Sequence, residues 1–291
     1  MAAEATIDPG TERVAESLGA SNGRITAEPS SGDSQDLLRA TIRFLGNLLG
    51  ETIIEQEGKA LFDLEEQIRA LAKKWRAGDG SARDEITAIT THLIEEPAQA
   101  LAVLKAFTTY FQLVNLAEEQ QRVRILRERR RAAEEAGVPM GESMGQAVLR
   151  LRDEGLNAEE VQGLLSNLLI MPVLTAHPTE AKRRTILVKL NSIAAALDEL
   201  QRMSRLPSER EAIIEHIREE IVLLWQSDET RDRRPTVLDE VRNVLYFFET
   251  NLYRLLPRIY RELEDELHKA YPDATFNLRS FLRYGSWVGG D

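Results

Sequence analysis

The residue around which chemistry would most readily gather is His177. The stretch from Val173 to Thr185 places this imidazole among a hydroxyl (Thr179), a carboxylate (Glu180) and three cations (Lys182, Arg183 and Arg184). Imidazole titrates near neutral pH and moves a proton in either direction. Backbone N–H groups at a helix start, with Arg183 and Arg184 beside them, suit a phosphate or a carboxylate. The competing reading is structural: His177 satisfies a turn, and Lys182 to Arg184 form a solvated face. Pro178 weakens a metal reading of His177 with Glu180, because the pair precedes the helix and does not share an i, i+3 face.

The remaining candidates are weaker. His92 and His268 occupy polar positions near helix ends, and His216 lies beside a core face with Glu215 and Glu219, so surface or capping roles are expected for all three. Asp265 and His268 make a single carboxylate-histidine pair, whereas a di-iron bundle uses two such pairs with two further glutamates. Arg122, Arg124, Arg127, Arg129, Arg130 and Arg131 form the one conspicuous basic stretch. Helical spacing spreads them around the cylinder among Glu118, Glu119, Glu128, Glu134 and Glu135, which predicts a salt-bridged exposed helix over an RNA-binding one.

The elements that must position His177 are mostly helical. Residues 1 to 34 have the composition of a flexible tail, and residues 35 to 291 form the folded part. From Asp36 onward apolar residues recur at helical spacing: Ile42, Leu45, Leu48, Leu49 and Ile53, then Leu61, Leu64, Ile68 and Leu71 after Gly58. A long amphipathic helix is predicted over Ala98 to Ala133, ending at Gly137, and short helices over Val148 to Leu168. Met171 to Ala176 reads as a short buried strand of the parallel kind. Thr179 then caps the next helix, with Glu180 in its first turn, and Ile186, Leu187, Leu190, Ile193 and Leu197 supply its core face. Ile213 to Leu224 form another helix. Thr236 and Asp239 resemble a capping box that opens a helix toward Tyr271, kinked at Pro257. Leu282 to Val288 is a second short strand.

Composition narrows the function classes. The net charge of -11 argues against a broad electrostatic footprint for nucleic acid or anionic lipid. With no cysteine there is no disulfide, thiolate metal site or cysteine nucleophile. The N-terminal residues lack the apolar block of a secretory signal. Aliphatic stretches such as Ile221 to Trp225 fall well short of the ~20 residues a membrane span needs. A soluble, cytoplasmic protein is expected.

Val173 to Glu180 resembles the V-L-T-A-H-P-T-[EQ] signature of the phosphoenolpyruvate carboxylases, followed as in that family by paired arginines. Leu45 to Gly50 with Glu55 to Gly58 looks like the family's opening helices. Leu224 to Glu229 and Pro235-Thr236 resemble its W-[QH]-T-D-E segment and the P-T that follows. Ser286 to Asp291 is similar to the start of its S-W-M-G-G-D-R-D-G-N-P signature. The resemblance runs from about residue 36 to the last.

It implies a mainly α chain forming the N-terminal part of a helix-rich (β/α)8 barrel, with two barrel strands present. It implies carboxylation of phosphoenolpyruvate with bicarbonate to oxaloacetate and phosphate, with Mg2+ held by ligands downstream of this chain and a homotetramer when full length. His177 matches the histidine that takes the carboxyphosphate proton. Arg183, Arg184, Tyr253 and Asp291 are candidates for substrate binding. Tyr253 stands where the family usually has Trp, in the segment Glu249 to Pro257, and Ser227 replaces Thr. The chain alone is expected to be inactive. The alternative is a non-catalytic helical interaction protein derived from a carboxylase half.

Overall fold

A computed structural model of the chain describes residues 31–176, 183–202, 206–228 and 236–288. The tail expected over residues 1 to 34 lies outside the described residues as far as residue 30; among the described residues the first helix starts at Ser31. The chain divides into two units. The first comprises Met1–Ile125 and Arg183–Glu229, the second Leu126–Lys182 and Thr230–Asp291.

Among the described residues the elements of the first unit are all helices: α1 (Ser31–Glu57), α2 (Lys59–Arg76), α3 (Gly80–Glu95), the start of α4 (Pro97–Ala136), α7 (Arg184–Arg202) and α8 (Pro207–Trp225). Glycines in the left-handed region separate the early helices. Gly58 has φ 90° and Gly78 φ 100°, conformations that cost a side-chain-bearing residue energy. Asp79 then accepts from Ser81 N at 3.1 Å to cap α3. Pro97 opens α4, where its missing N–H costs nothing. Gly50 permits a close approach of α2 to α1, since a Cβ there would sit 2.8 Å from Phe62 Cε2.

Phe44, Leu45, Leu48 and Ile53 of α1, Leu113 of α4, Ile193, Leu197 and Leu200 of α7, and Ile217 and Ile221 of α8 are fully buried and share one apolar core. Polar contacts then fix how α8 lies on α1: Arg218 with Glu51, Trp225 Nε1 donating to Glu57 at 3.3 Å, and Gln226 donating to Gln56 at 2.9 Å. Between α7 and α8, Lys189 Nζ lies 3.1 Å from Glu220 Oε2, at ion-pair distance but without hydrogen-bond geometry. One window of α4 is long and apolar enough, by length and composition alone, to cross a membrane, contrary to the expectation that every apolar stretch is too short. The apolar residues of this helix are interrupted by polar ones and form no unbroken aliphatic run. Its Val103, Ala106, Leu113, Leu116 and Ala117 are buried in this core.

The second unit holds the rest of α4, α5 (Met144–Asp153), α6 (Ala158–Asn167), β1 (Val173–Ala176), α9 (Val237–Phe247), a π turn (Phe248–Leu252), α10 (Tyr253–Ala270) and β2 (Gly285–Val288). Asn157 and Glu160 form a full capping box on α6. Thr236 and Asp239 do the same on α9, as the sequence predicts. Val148, Val161, Leu263, Leu267, Ala270 and Phe281 form the core of this unit. Tyr260 OH accepts from Phe281 N at 3.0 Å, and Gln162 exchanges two hydrogen bonds with the backbone of Asn277. These contacts fasten the segment that leads into β2.

The strands pair in parallel, Val173 opposite Gly285 and Ala176 opposite Val288, with an isolated bridge from Ile170 to Leu282. Both are shorter than the predicted runs, and β1 is not buried as expected: Met171 is 55% and Val173 49% exposed. Among the described residues α9 is the helix packed on the strands, so one layer of cover does not enclose a parallel pair. The predicted irregularity near Pro257 falls upstream of it. Tyr253 N–H donates to Phe248 O, an i to i+5 bond that inserts an extra residue before the proline. The arginine stretch carries ion pairs as expected, Arg131 with Glu135 at 2.9 Å and Arg130 with Glu262 at 3.5 Å.

Two consequences for stability follow. Ile217→Ala, at a site with no exposure, should cost about 2–5 kcal/mol in urea unfolding, from lost transfer free energy and the cavity left behind. Glu65 on α2 is 7% exposed, and burial, reinforced by neighbouring Glu66 and offset in part by Arg69, raises its carboxyl above the usual range. A raised carboxylate penalises the fold once the folded state must ionise it, and the penalty is absent below the ordinary glutamate value of 4.5. Glu65→Gln should therefore raise the thermal midpoint at pH 7, and the gain should vanish in melts at about pH 4.

Candidate functional site

Parallel pairing sets the geometry of the candidate site. Ala176 and Val288 are register partners at the C-terminal ends of β1 and β2, so the segments that begin with His177 and with Gly289 leave from adjacent strand ends. In parallel α/β architectures chemistry collects at this end of the strands. His177 and Asp291 themselves lie outside the described residues, as do Thr179 and Glu180.

Beyond that stretch α7 starts at Arg184, later than a cap at Thr179 would place it, and the carbonyl of Arg183 accepts from Leu187 N at 3.2 Å. Arg183 is thus the residue flanking the helix start, half-buried, and Arg184 is the first helical residue, exposed. Cations at a helix N-terminus oppose the dipole and do not strengthen the helix. Backbone N–H groups at a helix start and neighbouring basic side chains are groups that, in general, suit an anion. Arg183 and Arg184 belong to the first unit and Tyr253 to the second.

Tyr253 follows the π turn directly and is 79% exposed. Insertions of this kind re-aim the side chains around them and recur at functional sites. The ring is therefore an amphipathic aromatic presented to solvent, held by a specific backbone irregularity. Nothing in the sequence placed that irregularity at Phe248–Leu252.

Of the other histidines, His92 and His268 lie in the last turns of α3 and α10. His216 Nε2 lies 3.0 Å from Ser192 Oγ, joining α8 to α7 on the exposed side. No group of three or more metal-ligating side chains gathers among the described residues.

One group was passed over in the sequence. Glu240 reads there as a first-turn acid on α9, yet it is 3% exposed and its Oε2 has no hydrogen-bond partner. Its neighbour Asp239 behaves conventionally: the Thr236 amide, then the Thr236 hydroxyl, hold that carboxyl below the usual range. The burial of Glu240 is a tertiary property that no local pattern reports.

The family model described as phosphoenolpyruvate carboxylase matches residues 38–291. Three relatives bear the same name. That of Roseiflexus castenholzii is 47% identical over 256 residues, covering 87% of this chain and 27% of the relative. That of an Azoarcus species is 41% identical over 263 residues, with 89% and 28% covered. That of Nitrosomonas europaea is 39% identical over 270 residues, with 92% and 28% covered. The chain thus spans little more than a quarter of the length of these relatives. A match that runs without interruption of family from α1 through β2, over nearly all the described residues, places this chain in the phosphoenolpyruvate carboxylase family.

Proposed function

We propose that the full-length protein containing this stretch carboxylates phosphoenolpyruvate with bicarbonate, giving oxaloacetate and inorganic phosphate. The observation that carries this reading is the V-L-T-A-H-P-T-E run, whose strand ends beside that of the Ser286-Trp287-Val288-Gly289-Gly290-Asp291 run. A bicarbonate oxygen attacks the phosphoryl group, the bond from phosphorus to the enol oxygen breaks, and carboxyphosphate and the enolate of pyruvate form. His177 takes the carboxyphosphate proton, so that carbon dioxide and phosphate separate. The enolate carbon then attacks carbon dioxide, forming the new carbon–carbon bond.

Arg183 and Arg184, at a helix start that favours anions, are assigned to the anionic substrate, with Tyr253 and Asp291 as further contacts. Magnesium would screen phosphate and enolate charge. The described residues provide no ligand set for it, so its ligands are assigned to the remainder of the protein and no step is routed through it here.

In the same reading β1 and β2 are the first two strands of a (β/α)8 barrel. Their exposed Met171 and Val173, and the exposed Val237, Leu238, Val241 and Leu245 of α9, are surfaces that further strands and helices would cover. A cytoplasmic homotetramer completes the proposal.

Two experiments test it. The purified 291-residue chain, supplied with phosphoenolpyruvate, bicarbonate and magnesium, should form no oxaloacetate in a coupled NADH-oxidation assay; measurable turnover would contradict the division of labour. In the full-length enzyme His177→Asn should lower the rate of oxaloacetate formation roughly 10²–10⁴-fold, the usual worth of a general base. Phosphoenolpyruvate binding, measured by calorimetry, should change far less, and equal losses would make His177 a structural residue.

A further inference from the structure

We propose that Phe248 and Tyr284 are positioning residues that act through Tyr253, and that the π turn is the device that brings Phe248 into line with it. The proposal rests on the assignment of Tyr253 as a substrate contact and deepens it. The turn opens at Phe248, whose carbonyl accepts from Tyr253 N–H in the i to i+5 bond. Inside it, Thr250 Oγ1 donates to Tyr246 O at 2.7 Å, so a side chain supports the widened backbone. Downstream, Pro257 has no N–H to offer the Tyr253 carbonyl, its partner in an unbroken helix. The helix is therefore irregular on both sides of this one residue.

Helical phase shows what the extra residue does. In a regular helix, at about 100° per residue, Phe248 would point about 120° away from Tyr260 and about 140° away from Tyr253. Absorbing one residue in the π turn reduces these angles to about 20° and about 40°. The contacts agree: Tyr260 stacks on Phe281 with ring centroids 4.5 Å apart, and Phe248 stands edge-on to Tyr284 at 5.5 Å, so both rings reach the segment that leads into β2. Tyr253 lies between them on that face, yet it is 79% exposed. Two of the three aligned rings pack, and the third is presented. Phe248 joins the two functions, since its carbonyl holds the Tyr253 amide while its ring meets Tyr284 at the entry of β2.

Two measurements on the full-length protein test this. Phe248→Leu removes the edge-on ring contact and should speed amide hydrogen exchange over residues 249–256; unchanged exchange there overturns the positioning, whatever the protein catalyses. In carboxylase assays the same variant should raise KM for phosphoenolpyruvate roughly 3–10-fold, the worth of one aromatic or hydrogen-bonded contact, with kcat changed far less. Introduced into Tyr253→Ala, it should raise KM no further. An equal factor in both backgrounds, or no factor in the wild type, overturns the action through Tyr253. Tyr284→Leu removes the contact from the other side and takes the place of Phe248→Leu in both measurements should that variant not fold. A wild-type protein without carboxylase activity would instead sink the proposed reaction, and the exchange measurement would still decide the positioning.

Discussion

The parallel pairing of Val173–Ala176 with Gly285–Val288 is the constraint on which the candidate site rests. Parallel strands cannot be joined by a hairpin and need a crossover. Here that crossover is long: it includes α7 and α8, which belong to the first unit, and then α9, the π turn and α10 of the second. Hydrogen bonds from Ile170 N to Phe281 O, Arg283 N to Ile170 O and Gly285 N to Pro172 O carry the pairing upstream of the strands proper. Gly285 belongs to that fit, since a Cβ there would meet Val173 Cγ2 at 3.3 Å. That register sets Ala176 and Val288, the last described residues of the two motifs, opposite one another.

Support for the pairing comes from ordinary packing. Tyr260 lies against Phe281 with ring centroids 4.5 Å apart while its hydroxyl receives the Phe281 and Leu282 amides. Tyr271 donates to Leu156 O at 3.0 Å, tying the end of α10 to the loop before α6. An aromatic ring that fills a core and also satisfies backbone groups fixes both the position and the direction of the segment it holds. The first unit works differently, through one apolar core shared by its helices, with polar bonds such as Arg218 to Glu51 setting how they lie on one another.

Charge is treated unevenly across the chain. Several carboxylates sit on exposed helix faces in i, i+3 or i, i+4 pairs, worth a few tenths of a kcal/mol each, as with Lys59 and Asp63 or Arg131 and Glu135. Glu65, Glu220 and Glu240 are buried instead. Glu220 has Lys189 within ion-pair distance. Glu65 is held in its un-ionised form more readily than usual, chiefly by burial, and Glu240 Oε2 has no hydrogen-bond partner among the described residues.

Local signals in the sequence determined many of the helices and several of their stops and caps, though not the start of α7. Gly58 and Gly78 end helices because their backbone is left-handed, and the Thr236 and Asp239 box opens α9 because both partners lie within one turn. The family motif around His177 was legible for the same reason, being contiguous. Tertiary structure alone decided that β1 meets β2 in parallel and in which register, that a π turn precedes Tyr253, and that Glu240 is shut away from water. Each of these depends on residues distant in the chain or on the fit of one element against another, and short-range spacing carries no record of such contacts.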